Sequence, residues 1–142
     1  MSIEPKSEVE ELMNTYLPFA KQMREKDGEF IPYGAAITQD NQIIAISDYD
    51  ENDMPPVSED RIELLRDVCR KTAADGRFKA SAIFYDVIVI PPGSFEKTDA
   101  IAVELDHEES YSVIVFFPYK IVNSIVEFGD IYAEPGNNDI FK

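Results

Sequence analysis

Carboxylates set what chemistry this chain can attempt. Asp86 is the one charged residue in the apolar run Ile83–Ile90, and Glu104 and His107 lie close together in the segment Ala100–His107. If that segment is a strand, its period of two puts Ala100, Ala102, Glu104 and Asp106 on one face and Ile101, Val103, Leu105 and His107 on the other. A hairpin closing near Ser94-Phe95 is expected to set Asp86 opposite Glu104. Two carboxylates sharing a site push one pKa upward, which is how acid–base pairs arise. The small alanines beside them leave room for a ligand. His107 precedes the turn Glu108-Glu109-Ser110, where its acidic neighbours make it a candidate pH-sensitive contact. Asp86, Glu104 and His107 are therefore the candidate catalytic residues. Opposed to that is a structural reading, in which the acids pair with Lys, Arg or backbone N–H groups and the histidine is a solvated turn residue.

A second pattern is the acidic loop from Asp48 to Glu59. Asp48, Asp50, Asn52 and Glu59 occupy positions 1, 3, 5 and 12 of an EF-hand-like calcium loop. Asp53 stands where the sharp turn needs Gly, Pro55 and Pro56 stiffen the second half of the loop, and a strand precedes the loop in place of a helix. The competing reading is a solvated loop feeding the positive end of a helix.

Other chemistries are absent from the sequence. Cys69 is the one cysteine, so neither a disulfide within the chain nor a zinc finger can form. It falls on the apolar stripe of a helix, as a structural thiol does. The six glycines are scattered, and no P-loop, dinucleotide fingerprint or Gly-x-Ser-x-Gly elbow is present. The segment Pro32–Ile37, a turn and Ile43–Ala45 looks like the opening hairpin of cytidine deaminases. The His or Cys ligands and the Pro-Cys-x-x-Cys those enzymes require are missing. No cofactor is expected.

The 142 residues suit one domain over 1–142, with 1–6 and 134–142 as flexible or irregular termini. Apolar residues make up 44 % of the chain, with nine Phe and seven Tyr, which is a globular composition. The net charge of -15 repels phosphate, so nucleic acid and anionic membrane are poor partners and a basic protein is a better one. The spare aromatics also suit a homodimer interface. No apolar run nears the ~20 residues of a membrane span. The start Met1-Ser2-Ile3-Glu4 lacks a signal pattern, so the default location is cytoplasmic.

Among the elements that must hold these residues, 7–26 reads as a helix with the stripe Val9, Leu12, Met13, Tyr16, Ala20 and Met23. Ser7 is placed as its cap, and Pro18 is expected to kink or split it near Asn14. Strands come next at 30–38 and 42–47, joined by Gln39-Asp40-Asn41. A second helix begins at Ser58 with the stripe Ile62, Leu65, Val68, Cys69 and Thr72, and Gly76 is placed as its left-handed cap. Strands at 80–90, 100–106 and 111–117 form a meander. Residues 124–132 fit either a last strand or a short helix. The expected class is α+β: a five-stranded, mostly antiparallel sheet with helices packed on it, in the order α-β-β-α-β-β-β. Profilin-like, roadblock-like and deaminase-like scaffolds share that order by analogy, and fold analogy does not transfer function.

Three blocks, Phe30-Ile31-Pro32-Tyr33-Gly34-Ala35-Ala36, Thr98–His107 and Phe117-Pro118-Tyr119, together resemble a family of small bacterial proteins with no established activity. The resemblance runs from Phe30 to about Tyr132. It implies a bacterial setting and directs attention to the strand holding Asp99, Glu104 and His107. From its charge and the absence of a complete catalytic set, the chain is expected to be a non-catalytic adaptor or immunity-type protein that binds a basic partner. The alternative is a small-molecule-binding domain or hydrolytic enzyme using Asp86, Glu104 and His107.

Overall fold

The computed structural model describes residues 5–27, 32–46, 58–138 and 140–141. Helix α1 spans Pro5–Asp27 and helix α2 spans Ser58–Ala74. The strands are β1 (Tyr33–Thr38), β2 (Ile43–Ile46), β3 (Phe78–Val89), β4 (Thr98–His107), β5 (Tyr111–Val122), β6 (Ile125–Phe128) and β7 (Tyr132–Pro135). The fold is α+β. The strands form one sheet in the order β2-β1-β3-β4-β5-β6, with β7 also paired to β5, and every pairing is antiparallel. Among the described residues the sheet has seven strands, so the expected five is corrected.

The helix stripes come out as their spacing demands. Val9, Leu12, Met13 and Ala20 are buried on one face of the sheet, against Ala35, Phe84, Ile101, Val103 and Leu105. Leu65 and Cys69 of α2 pack with Ile83 and Ile140 in a second cluster. Period two explains the division: Ile83 and Phe84 are neighbours on β3 and must face opposite ways. α1 touches β1, β3, β4, β5 and β6. A helix is about 10 Å across, and five flat strands span roughly 19 Å, so the sheet curls around α1. α1 begins with Pro5 in its first turn, where a missing N–H costs nothing. It runs through Pro18 as one helix, so the expected split near Asn14 does not occur.

The turns share one device. Asn41 (φ 67°) and Ser110 (φ 65°) are left-handed third residues closing the β1–β2 and β4–β5 turns. Gly76 (φ 73°) caps α2 as the sequence predicts, with its N–H on the Ala73 carbonyl at 2.9 Å. The β5–β6 turn, Asn123-Ser124, has both residues left-handed (φ 52° and 66°), the type I′ geometry of a two-residue hairpin.

β5 is longer than its sequence suggests because Pro118 sits where it does no harm. The Pro118 carbonyl accepts the Gly129 N–H at 2.7 Å on the outer side of β5. N–H and C=O of one strand residue point the same way. The missing N–H therefore falls where the outer neighbour changes from β7 (paired at 113–116) to β6 (paired at 119–122). Toward the C-terminal end, residues 134 and 135 lie in β7 and Ile140 is buried.

Candidate functional site

The candidate residues stand in three separate places. β3 and β4 pair with Asp86 opposite Ile101 and Glu104 opposite Ile83. The expected Asp86–Glu104 pairing is displaced by three residues, because the two strands close about Gly93-Ser94, earlier than the expected Ser94-Phe95. An odd displacement turns a side chain to the other face. Glu104 thus lies on the α2 face and Asp86 on the α1 face. His107 shares the α1 face with Asp86, but six residues of β4 separate it from Ile101, about 20 Å.

Glu104 is held by α2. Arg66 reaches it with both arms of its guanidinium, Nε to Oε1 at 3.0 Å and Nη2 to Oε2. The Tyr85 hydroxyl donates to Oε2 at 2.6 Å. Glu63 holds the third guanidinium nitrogen of Arg66 at 2.6 Å. Fork-to-fork geometry of this kind fixes orientation as well as charge. Bonding to Glu104 raises the Arg66 pKa. Burial raises the Tyr85 hydroxyl, and the same carboxylate pushes it further.

His107 is buried, at 1 % exposure, and is not a solvated turn residue. Its Nδ1 accepts the Glu109 backbone N–H at 3.1 Å. The proton therefore sits on Nε2, which donates to Glu8 Oε1 at 3.0 Å. Lys79 Nζ reaches Glu8 Oε2 at 2.5 Å. Burial alone would raise the Glu8 carboxyl, but the bonds from Lys79 and His107 hold it below its ordinary value. Both ring nitrogens are committed, so in this arrangement the imidazole has no lone pair for a substrate proton. The sequence reading does not single out Glu8. Its signal was the spacing Glu8, Leu12, Tyr16, which puts an acid on the edge of the apolar stripe.

Asp86 accepts from the Tyr119 hydroxyl at 2.9 Å. Tyr119 also lies under the Arg24 guanidinium, 5.9 Å from the ring centroid. Burial lifts the Asp86 carboxyl above its ordinary value and the Asp99 charge adds to this, while Tyr119 and Arg24 pull down without cancelling it. The carboxylate that Asp86 feels is therefore Asp99, its diagonal neighbour across β3 and β4. Tyr119, with its hydroxyl raised chiefly by burial, lines a cleft of about 650 Å³ between the β3–β4 loop and the β6–β7 link.

The calcium pattern falls mainly on Asp48, Asp50 and Asn52, which lie outside the described residues, and Glu59 lies in the first turn of α2. Among the described residues no group of three or more His, Cys, Asp or Glu side chains could hold a metal ion. Among them also, no helix is long and apolar enough to cross a membrane. No family model, curated protein or solved structure matches this chain.

Proposed function

We propose that this chain is a non-catalytic interaction protein whose acidic surface meets a basic protein partner. The observation that carries this reading is one end of the sheet, where several connections are tied into a single acidic shelf. The Gln39 N–H bonds the Arg77 carbonyl at 3.0 Å, its Nε2 reaches Glu108 Oε1 at 3.0 Å, and the Glu108 N–H bonds the Lys79 carbonyl at 2.9 Å. This joins the β1–β2 turn, the start of β3 and the β4–β5 turn, and the Glu8–His107 bond brings in the start of α1. Exposed on that end are Asp40, Asp75, Glu108, Glu109, Glu10 and Glu11. Arg77 offsets Asp75 at 3.5 Å and Lys6 offsets Glu10 at 3.9 Å, which leaves the balance acidic. The candidate catalytic groups support the same reading, since each is engaged in bonds that hold elements together. Electrostatic steering by such a surface acts on association rate and weakens with salt.

The test is capture of a partner by the immobilised full chain at ionic strengths of about 0.03 M and 0.3 M, where the Debye length shrinks several-fold. Retention at low salt, release at higher salt, and loss of capture in Asp40→Lys/Glu109→Lys are expected. No retained protein at low salt overturns the reading. A second reading, a small-molecule-binding domain or hydrolytic enzyme, is favoured by the raised Asp86, which accepts a hydrogen bond from Tyr119 of the cleft lining. It predicts a ligand whose affinity falls in Asp86→Asn.

A further inference from the structure

β6 is an outer edge of the sheet, and none of the described strands pairs with its far side. The hairpin that presents it is apolar on its surface: Ile121 is 45 %, Val122 43 % and Ile125 54 % exposed. In a two-residue hairpin the residues flanking the turn, Val122 and Ile125, exchange the first pair of hydrogen bonds. The backbone groups of the next residue, Val126, then point away from β5. An edge of this kind is a template for another strand, and folded proteins blunt it with charge or cover.

Among the described residues the hydrogen-bonding cover on that edge is one side chain. The Val126 N–H donates to Glu25 Oε2 of α1 at 2.7 Å, and Lys21 steadies that carboxylate from one helical turn back at 3.3 Å. We propose that Glu25 is the guard of the β6 edge, and that the occupant it excludes is β6 of a second copy of this chain. Two observations select that occupant. The hairpin from Pro118 to Phe128 carries Lys120 and Glu127 and no other charge, so it is neutral on a chain of net charge -15. A second copy therefore meets least repulsion there. The register is also self-complementary at one position. Pairing centred on Val126 lets the two Val126 residues exchange both backbone bonds and sets Ile125 against the copy's Glu127. Centring on Glu127 would oppose like charges, which disfavours pairing. Glu25 thus sits on the amide that the favourable register needs.

The experiment is light scattering with size exclusion at neutral pH on the full chain. Wild type is expected to be monomeric, and Glu25→Ala to dimerise at a concentration at least about tenfold lower. Glu25→Gln keeps an acceptor oxygen in reach and is expected to stay monomeric, and Glu25→Ala/Ile125→Lys to revert to monomer. Glu25 is partly exposed near the C-terminal end of α1, and far-UV circular dichroism checks that each variant is folded. Amide exchange on dilute wild type gives a reading that needs no variant: the Val126 N–H is expected to be protected. A folded Glu25→Ala that remains monomeric at matched concentrations overturns the proposal. So does association that ignores Ile125→Lys, or fast exchange at Val126. None of these outcomes depends on a basic partner.

Discussion

Glu8 and Asp86 titrate against the same background but with opposite consequences for stability. The Glu8 carboxyl is held below its ordinary value of 4.5 by its bonds to Lys79 and His107. Its contribution is therefore present above that value and is lost as pH falls through the lower folded value. Asp86 is raised above its ordinary value of 3.8 by burial and by Asp99. The folded state then holds that proton more tightly than the unfolded chain. The stabilisation it gives is complete below the ordinary value and is lost as pH rises through the folded one. Glu8→Gln is accordingly expected to flatten the acid side of a urea stability profile between about pH 5 and pH 3. Asp86→Asn keeps an acceptor for Tyr119 and is expected to leave stability at pH 7 unchanged or higher. Equal effects of the two substitutions at pH 7 would contradict these assignments. Neither sign was legible in the sequence, because both depend on partners from other elements: Lys79 and His107 for Glu8, Asp99 and Tyr119 for Asp86.

At the scale of elements, α1 carries its own defect. Pro18 leaves the Asn14 carbonyl without its helical donor, and its ring crowds that carbonyl. The helix persists because Val9, Leu12, Met13 and Ala20 on its other side are buried in the curled sheet. Tertiary burial outweighs the local penalty, which is about 3 kcal/mol in a helix interior. Pro18 is exposed, so Pro18→Ala is expected to stabilise by about 1 kcal/mol or more and to raise the melting temperature by roughly 2–4 °C. An unchanged melting temperature would mean that the helix has already relaxed around the proline. The same contest decides what could be read in advance. Both helix stripes and β1 to β4 follow from periodicity, and Gly76 from its cap position. β6 and β7 do not, since Pro118 reads as a strand ending until its outward geometry is known. The β3–β4 register fails for a related reason: the point at which the hairpin closes sets it, and the composition of Pro91–Lys97 does not report that point. A slip of three residues was enough to send Asp86 and Glu104 to opposite faces.

Across the whole molecule two electrostatic effects oppose each other, and salt separates them. Exposed pairs such as Lys6–Glu10 and Lys21–Glu25 stabilise the fold and are weakened by salt. Exposed helix pairs of that kind contribute little. Against them stands a net charge of -15, from 28 acidic and 13 basic residues. That excess repels itself in the compact state, and salt relieves the repulsion. The Arg66–Glu104 and Lys79–Glu8 pairs are mostly buried, so salt reaches them little. The repulsion is summed over the whole surface while the exposed pairs are few and weak, so the repulsive part dominates. The urea midpoint is therefore expected to rise as sodium chloride is raised from about 0.01 M to 0.2 M, over which the Debye length falls from about 30 Å to under 10 Å. The rise is expected to be smaller in Asp40→Lys/Glu109→Lys, which removes four units of net negative charge from the acidic shelf. A midpoint that falls with salt would mean that local ion pairs carry the stability. The acidic shelf would then be a balanced surface, with no excess field to offer a basic partner.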